Sequence, residues 1–178
     1  MNRRKRLRLE NYDYSLSGMY FVTICIKDRK NLFGKIENDN MILNELGKIA
    51  KNNWLEIPDH FPDIFLDEYT VMPNHLHGIV GIDKRNDNLI PISTDRTKML
   101  LSKVIQQYKG AVTREFKKIS PNTLKWLRSF HDHIIRNERE LNNIRSYIRN
   151  NPKNWNTDIE NEECEIDDKD YYDKLFSQ

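Results

Sequence analysis

The chain has 178 residues, of which 38% are hydrophobic, and a formal net charge of +2. This length fits one domain with a buried core, while apolar runs of about seven residues exclude a membrane-spanning helix. We expect no membrane partner. No apolar stretch follows the basic N-terminus, so a signal peptide is not expected. Two cysteines make no disulfide framework, and we expect a cytoplasmic protein.

The small net charge conceals an uneven distribution of charged residues. Residues 156–178 carry nine acidic and two basic side chains, a charge of −7, which leaves +9 on residues 1–155. Such an asymmetry indicates a polyanionic partner. We therefore expect one domain over residues 1–155, followed by an acidic, flexible tail over residues 156–178.

Several segments have the composition of β-strands, with many β-branched and aromatic residues. They are residues 20–26, 32–37, 41–43, 64–72 and 75–82. Polar turn residues separate the second segment from the third, and the fourth from the fifth, so each of these pairs predicts a hairpin. A short extended piece is also expected at residues 134–136.

Three other segments have apolar residues at helical spacing, which predicts amphipathic helices. The segments are residues 46–55, 97–118 and 138–150. Asn44 is a candidate cap for the first helix, and Pro152 ends the third. Strands and helices in this order predict an α+β fold, in which an antiparallel sheet carries helices on one face.

A pair of histidines at the start of strand 75–82 is the sharpest candidate for chemistry. Because strand side chains alternate, His75 and His77 share a face and could chelate one divalent ion. The alternative is two half-exposed histidines that share a face by chance. With five histidines in the chain, this spacing within an apolar strand favours a metal site, and oxygen ligands beside the imidazoles would favour Mg²⁺ or Mn²⁺.

A second histidine pair, His131 and His133, has the same spacing. We interpret it first as part of a polar loop or strand edge. A contribution to the same site, or a contact with phosphate, remains an alternative for this pair.

The predicted third helix carries a candidate nucleophile. Tyr147 and Asn151 lie one helical turn apart; a tyrosine hydroxyl can form a covalent intermediate, and an amide oxygen beside it could complete a metal shell. A tyrosine on an amphipathic helix more often belongs to the core. Tyr108, on the preceding helix, competes for the same role.

Basic residues cluster at the N-terminus and on the third helix. Those that we expect to contact nucleic acid are Arg3, Arg4, Lys5, Arg6, Arg145 and Arg149. Together with nearby aromatic residues they fit a groove that follows a phosphate backbone and stacks bases, although any one stripe could be a solvated helix face.

Four sequence segments resemble those of the single-tyrosine HUH transposases, in particular the REP-associated tyrosine transposases and their transposase-like relatives. The segments are residues 20–24, 72–77, 134–138 and 147–152. The resemblance covers about residues 10–155, and its specific feature is His-x-His combined with Tyr-x-x-x-Asn-Pro. The acidic tail lies outside it.

The resemblance implies an RRM-like (ferredoxin-like) core with a C-terminal catalytic helix. His75 and His77 match the metal-binding pair for Mg²⁺ or Mn²⁺, Asn151 matches the third ligand, and Tyr147 matches the nucleophile. Such enzymes cleave and rejoin single-stranded DNA at hairpins through a 5′-phosphotyrosine and a free 3′-hydroxyl, often as homodimers. His133 matches a histidine of some relatives, with its role left open.

Other functions remain compatible with the same residues. A non-catalytic, domesticated relative could retain the fold and bind nucleic acid only, although it would not need the two histidines together with the tyrosine. Relaxases and replication initiators share the chemistry but are usually larger. A structural metal-binding protein is the remaining alternative.

Overall fold

A computed structural model describes residues 12–84, 99–121 and 124–161. The strands are β1 (Gly18–Cys25), β2 (Gly34–Glu37), β3 (Asn40–Leu43), β4 (Ile64–Val71), β5 (His75–Ile82) and β6 (His131–Ile135). The α-helices are α1 (Glu45–Leu55), α2 (Ile57–His60), α3 (Leu100–Ile119) and α4 (Glu138–Asn150). Within these described ranges, the helices are too short or too polar to cross a bilayer.

Four strands form one antiparallel sheet in the spatial order β4-β5-β1-β6. In chain order, β1, α1, β4, β5, α3 and β6 make the β-α-β-β-α-β arrangement of a ferredoxin-like fold. The predicted fold class is therefore confirmed. The hairpin of β2 and β3 forms a separate two-stranded sheet, inserted between β1 and α1.

Side chains of β1 and β5 point alternately to the two faces of the sheet, and on each face they pack into one hydrophobic cluster. The first cluster joins Val22 of β1 and Val80 of β5 to Trp54 of α1 and Tyr108 of α3. The second includes residues of α4 and contains Phe21, Ile79, Leu141, Ile144 and Ile148. The helices α1 and α3 thus lie on one face, as predicted, and α4 lies on the opposite face.

Local signals in the sequence account for the ends of several elements. The side chain of Asn44 accepts a hydrogen bond from the Gly47 N–H at 2.9 Å, so the predicted cap of α1 is confirmed. Asn38 and Asp39 have φ values of 49° and 62°, as a tight hairpin turn between β2 and β3 requires. Pro58 lies in the first turn of the short helix α2, directly after α1.

Strand β6 is longer than the extended piece predicted at residues 134–136. It begins at His131 and pairs with β1, so that His131 lies opposite Thr23 and His133 lies opposite Phe21. Its composition conceals the strand, because its first three residues are polar. Pairing with a central strand stabilises the extended backbone there despite this composition.

The first part of the acidic segment is packed against the domain. Although the charge pattern predicted a flexible tail from residue 156, Asp158 and the three residues that follow it are buried. Ile159 joins the hydrophobic cluster beneath α4, and the domain boundary at residue 155 stays a prediction. For residues 162–178, which lie outside the described ranges together with basic residues 3–6, the tail stays a prediction.

Candidate active site

The histidine pair at the start of β5 is fully buried on the sheet face that carries α4. His75 and His77 each have 0% of their surface exposed, and their ring centroids are 4.4 Å apart. The alternative of two half-exposed surface histidines is therefore excluded. Buried imidazoles need defined partners, because an unpaired polar atom inside a protein is costly.

Hydrogen bonds to Asn74 fix the tautomer of His75. The Asn74 amide nitrogen donates to the backbone oxygens of Glu160 and Arg29, at 2.8 and 3.1 Å. Its oxygen, Oδ1, must then be the acceptor 2.8 Å from Nδ1 of His75. With the ring proton on Nδ1, Nε2 carries a lone pair, and this buried atom has no hydrogen-bond partner among the described residues.

The same burial keeps His75 neutral. Removal from water, together with the neighbouring His77, lowers the pKa of His75 to about 3, and the opposing effect of Asp158 is smaller. At neutral pH the ring is therefore uncharged, which is the state that a metal-binding imidazole requires.

His77 joins the central strand to helix α4. Its Nδ1 lies 2.9 Å from the hydroxyl of Thr23, which is its partner in the β1–β5 register. On the other side of the ring, Nε2 lies 3.1 Å from the hydroxyl of Tyr147 on α4. The ring also stacks on Phe21, with centroids 5.4 Å apart. The tyrosine hydroxyl is thus held directly at the histidine pair.

A carboxylate that the sequence analysis missed completes this group. Oδ2 of Asp158 lies 3.8 Å from Nε2 of both His75 and His77, and the three side chains could together hold a metal ion. Burial by itself raises the pKa of Asp158, but the imidazoles in their protonated form and the hydrogen bond from the Glu160 backbone N–H lower it below its ordinary value. The carboxylate is therefore ionised at neutral pH.

Asn151 lies beside the carboxylate, at the C-terminal cap of α4. Its amide nitrogen donates to Oδ2 of Asp158 at 2.8 Å. Its amide oxygen is buried and has no hydrogen-bond partner within the described parts of the chain. Two imidazole nitrogens, one carboxylate and an unsatisfied amide oxygen form a donor set that fits a divalent cation such as Mg²⁺ or Mn²⁺.

Two apolar residues explain why Asp158 is packed rather than exposed. Trp155 stacks on His75 with ring centroids 6.1 Å apart, and Ile159 is buried against α4. These residues flank Asp158 and were the available signal in the sequence, since they are large apolar side chains next to an acidic run. The charge of residues 156–178 by itself does not reveal that these two residues are packed.

The competing candidates from the sequence have other surroundings. Tyr108 is buried in the first hydrophobic cluster, on the face away from the histidines, and its hydroxyl donates to the Ala50 carbonyl at 3.2 Å. Burial raises its pKa far above the ordinary value. His133 lies 2.6 Å from Glu140, at the beginning of α4, through its Nε2 atom. Its accessory role stays a prediction.

Both predicted DNA-binding arginines of α4 pair with carboxylates of β4. The β4–β5 register shifts within residues 66–69, as at a β-bulge. Arg145 donates through Nε and Nη2 to the two carboxylate oxygens of Asp67, at 3.0 and 2.5 Å. Arg149 donates through Nε to Glu68 at 2.6 Å. These pairs attach α4 to β4, and contact of either arginine with DNA stays a prediction.

Comparison with known protein sequences gives two relatives from Haemophilus influenzae. One, named only as uncharacterized, is 36% identical over 167 residues, which covers 89% of this chain and 93% of the relative. The chain belongs to one family with that protein. The other, named as a candidate REP-associated tyrosine transposase, is 24% identical over 153 residues, which covers 81% of this chain and 76% of the relative. No family model matches the chain.

A solved structure has the same fold. It is a REP-associated tyrosine transposase bound to a REP hairpin, with a TM-score of 0.58 and 18% sequence identity. The alignment covers 83% of this chain and 74% of that one. At this identity the similarity establishes the fold, which is the fold of a REP-associated tyrosine transposase.

Proposed function

We propose that this protein is a metal-dependent transposase that cleaves and rejoins single-stranded DNA at hairpin-associated sites. The observation that carries this proposal is the distance of 3.1 Å between the Tyr147 hydroxyl and Nε2 of His77. It joins a possible nucleophile to a buried group of metal-binding side chains. The transposase fold of the solved neighbour, which binds a REP hairpin, supports the same substrate class.

In this proposal, His75, His77, Asp158 and Asn151 hold a divalent cation, Mg²⁺ or Mn²⁺. The unsatisfied Nε2 of His75 and the unsatisfied amide oxygen of Asn151 support it. When bound, the ion supplies positive charge that offsets the charge developing on the scissile phosphate. The surrounding sheet and α4 keep the donor side chains buried and fixed before DNA binds.

Tyr147 is the proposed nucleophile. Its phenolic oxygen forms a bond to phosphorus as the phenol loses its proton, and the bond from phosphorus to the 3′ oxygen breaks. The 3′ oxygen leaves with a proton as a free hydroxyl, while the 5′ side remains attached to the protein. Rejoining reverses these steps with a 3′-hydroxyl as the attacking group, so no nucleotide cofactor is needed.

The basic residues identified from the sequence are the proposed contacts to the DNA backbone. They are Arg3, Arg4, Lys5, Arg6, Arg145 and Arg149. Of the two on α4, the Arg149 side chain is 62% exposed and the Arg145 side chain 27%. We therefore expect Arg149 to contact phosphates more directly, with Arg145 mainly fixing α4. A homodimer and an accessory function of His133 are further parts of the proposal.

A covalent adduct between the protein and DNA tests this function. The full chain is incubated with Mn²⁺ or Mg²⁺ and a pool of single-stranded hairpins that carry 5′ tails, then resolved under denaturing conditions. We expect an adduct that resists detergent and is absent when EDTA is added. Tyr147→Phe and His75→Ala should both abolish it.

Tyr108→Phe is the matched control, because Tyr108 was the competing tyrosine and lies on the other face of the sheet. It should form the adduct at the wild-type level. An adduct that persists in Tyr147→Phe would contradict the nucleophile. Hairpin binding without any adduct, in the wild type with either ion, would instead support the non-catalytic nucleic-acid-binding alternative.

A further inference from the structure

We infer that Asn74 is a positioning residue that orients His75 and Asp158 together, through one continuous chain of hydrogen bonds. This inference rests on the metal site in the proposed function and adds to it a residue that does not itself contact the ion. Asn74 forms the turn between β4 and β5, and 1% of its surface is exposed.

The first half of the chain of hydrogen bonds fixes the histidine. The Asn74 oxygen accepts the Nδ1–H of His75 at 2.8 Å. This bond sets both the tautomer and the direction of the ring, and it leaves the Nε2 lone pair aimed at the proposed site. Partners of this kind commonly control the affinity of a histidine for metal.

The second half fixes the carboxylate. The Asn74 amide nitrogen donates to the Glu160 carbonyl at 2.8 Å, and the Glu160 backbone N–H donates to Oδ1 of Asp158 at 2.7 Å. Oδ1 is thereby occupied by the Glu160 backbone, and the other carboxylate oxygen, Oδ2, lies 3.8 Å from Nε2 of His75. One amide thus connects β5 to the segment that follows α4.

The backbone around Asn74 supports this role. Its carbonyl accepts the Ile26 N–H at 2.9 Å, and its amide nitrogen also donates to the Arg29 carbonyl at 3.1 Å. The side chain is therefore held from three directions. Only an amide supplies an acceptor for His75 and donors for two carbonyls at once; a carboxylate keeps the first function and loses the second.

Calorimetric titration of the full chain with Mn²⁺ tests the inference directly. We expect Asn74→Ala to weaken Mn²⁺ binding by about 10- to 100-fold, the usual loss for a partner of this kind. Asn74→Asp keeps the acceptor for His75 and should fall between Asn74→Ala and the wild type.

Asn53→Ala is the matched control. Asn53 is also a buried asparagine that donates two hydrogen bonds, to Ile49 and Glu115 at 3.0 Å each, but it lies on α1 at the other face of the sheet. The Mn²⁺ affinity of Asn53→Ala should stay within about threefold of the wild-type value, a change smaller than the net contribution of one typical hydrogen bond. Thermal unfolding without metal then reports the structural cost of each substitution separately.

The outcomes separate this inference from the proposed function. If the wild type binds Mn²⁺, and Asn74→Ala and Asn74→Asp, both folded by circular dichroism, bind it within threefold of the wild-type affinity, the role of Asn74 alone is overturned. An equal loss of affinity in Asn53→Ala also overturns it, since the effect would then be general destabilisation. A wild-type chain that binds no Mn²⁺ overturns the metal site together with this inference.

Discussion

The hydroxyl of Tyr147 lies 3.1 Å from Nε2 of His77, the ring atom that also faces Asp158. This contact joins α4 to β5 across the second hydrophobic cluster. In the tautomer that a metal ligand requires, Nε2 of His77 has one lone pair. That lone pair can accept the phenol proton or bind a cation, but it cannot do both at once.

The first prediction follows from this competition. Tyr147→Phe should bind Mn²⁺ more tightly than the wild type, by up to about tenfold, because a hydrogen bond with a net value of about 0.5–1.5 kcal/mol no longer opposes the ion. Calorimetric titration measures the change. Tyr108→Phe, on the opposite face of the sheet, should leave the affinity unchanged, and weaker binding by Tyr147→Phe would contradict the competition.

The sequence predicts those parts of the fold and site that depend on local periodicity. Alternation along β5 is enough to put His75 and His77 on one face, and a single helical turn is enough to relate Tyr147 to Asn151. Asp158 has no such local signal, because its position results from the packing of the apolar residues beside it against distant elements.

The extent of β6 was missed for a related reason. Its polar residues gain their extended conformation from pairing with β1, and such pairing partners are distant in sequence. Similarly, composition does not reveal that Asn74 bonds to the Glu160 carbonyl. Hydrogen bonds between distant segments therefore account for most of what the sequence did not predict at this site.

The second prediction concerns Asp158 as a ligand. Asp158→Asn removes the buried negative charge while keeping the size of the side chain, so Mn²⁺ affinity should fall by at least about 10- to 100-fold. The matched control is Glu37→Gln on the exposed β2–β3 hairpin, which should bind as the wild type does. Unchanged affinity in Asp158→Asn would remove this carboxylate from the proposed site.

The third prediction concerns stability in acid. The Arg145 guanidinium is the main cause that lowers the pKa of Asp67, so the folded state favours the ionised carboxylate. The resulting stability is present above the ordinary aspartate pKa of about 3.9 and is lost as the pH falls through the lower folded value. Asp67→Asn should therefore be less stable than the wild type by about 1 kcal/mol near pH 7.

Urea unfolding at about pH 7 and about pH 2 measures the free energy of unfolding at each pH. The difference in this free energy between Asp67→Asn and the wild type should shrink at the lower pH. Glu37→Gln, which breaks the exposed pair with Lys35, serves as the control and should change stability by less than about 0.5 kcal/mol. A difference between Asp67→Asn and the wild type that is the same at both pH values would assign the effect to packing instead.

The last prediction concerns the strand that carries the histidines. A Cβ atom added at Gly78 would lie 2.3 Å from the Trp54 ring. The Trp54 ring is fully buried and packs edge-on against Tyr108, with centroids 5.5 Å apart, so it has little room to move. Gly78→Ala should therefore destabilise the fold by about 1–3 kcal/mol through overpacking.

Gly110→Ala is the control for this prediction. Gly110 lies within α3, where an added Cβ meets only an Arg114 side chain at 3.5 Å, and alanine there should stabilise the helix by about 0.5–1 kcal/mol. Urea unfolding of the two variants should move the midpoint in opposite directions, and equal midpoints would contradict tight packing between β5 and α1.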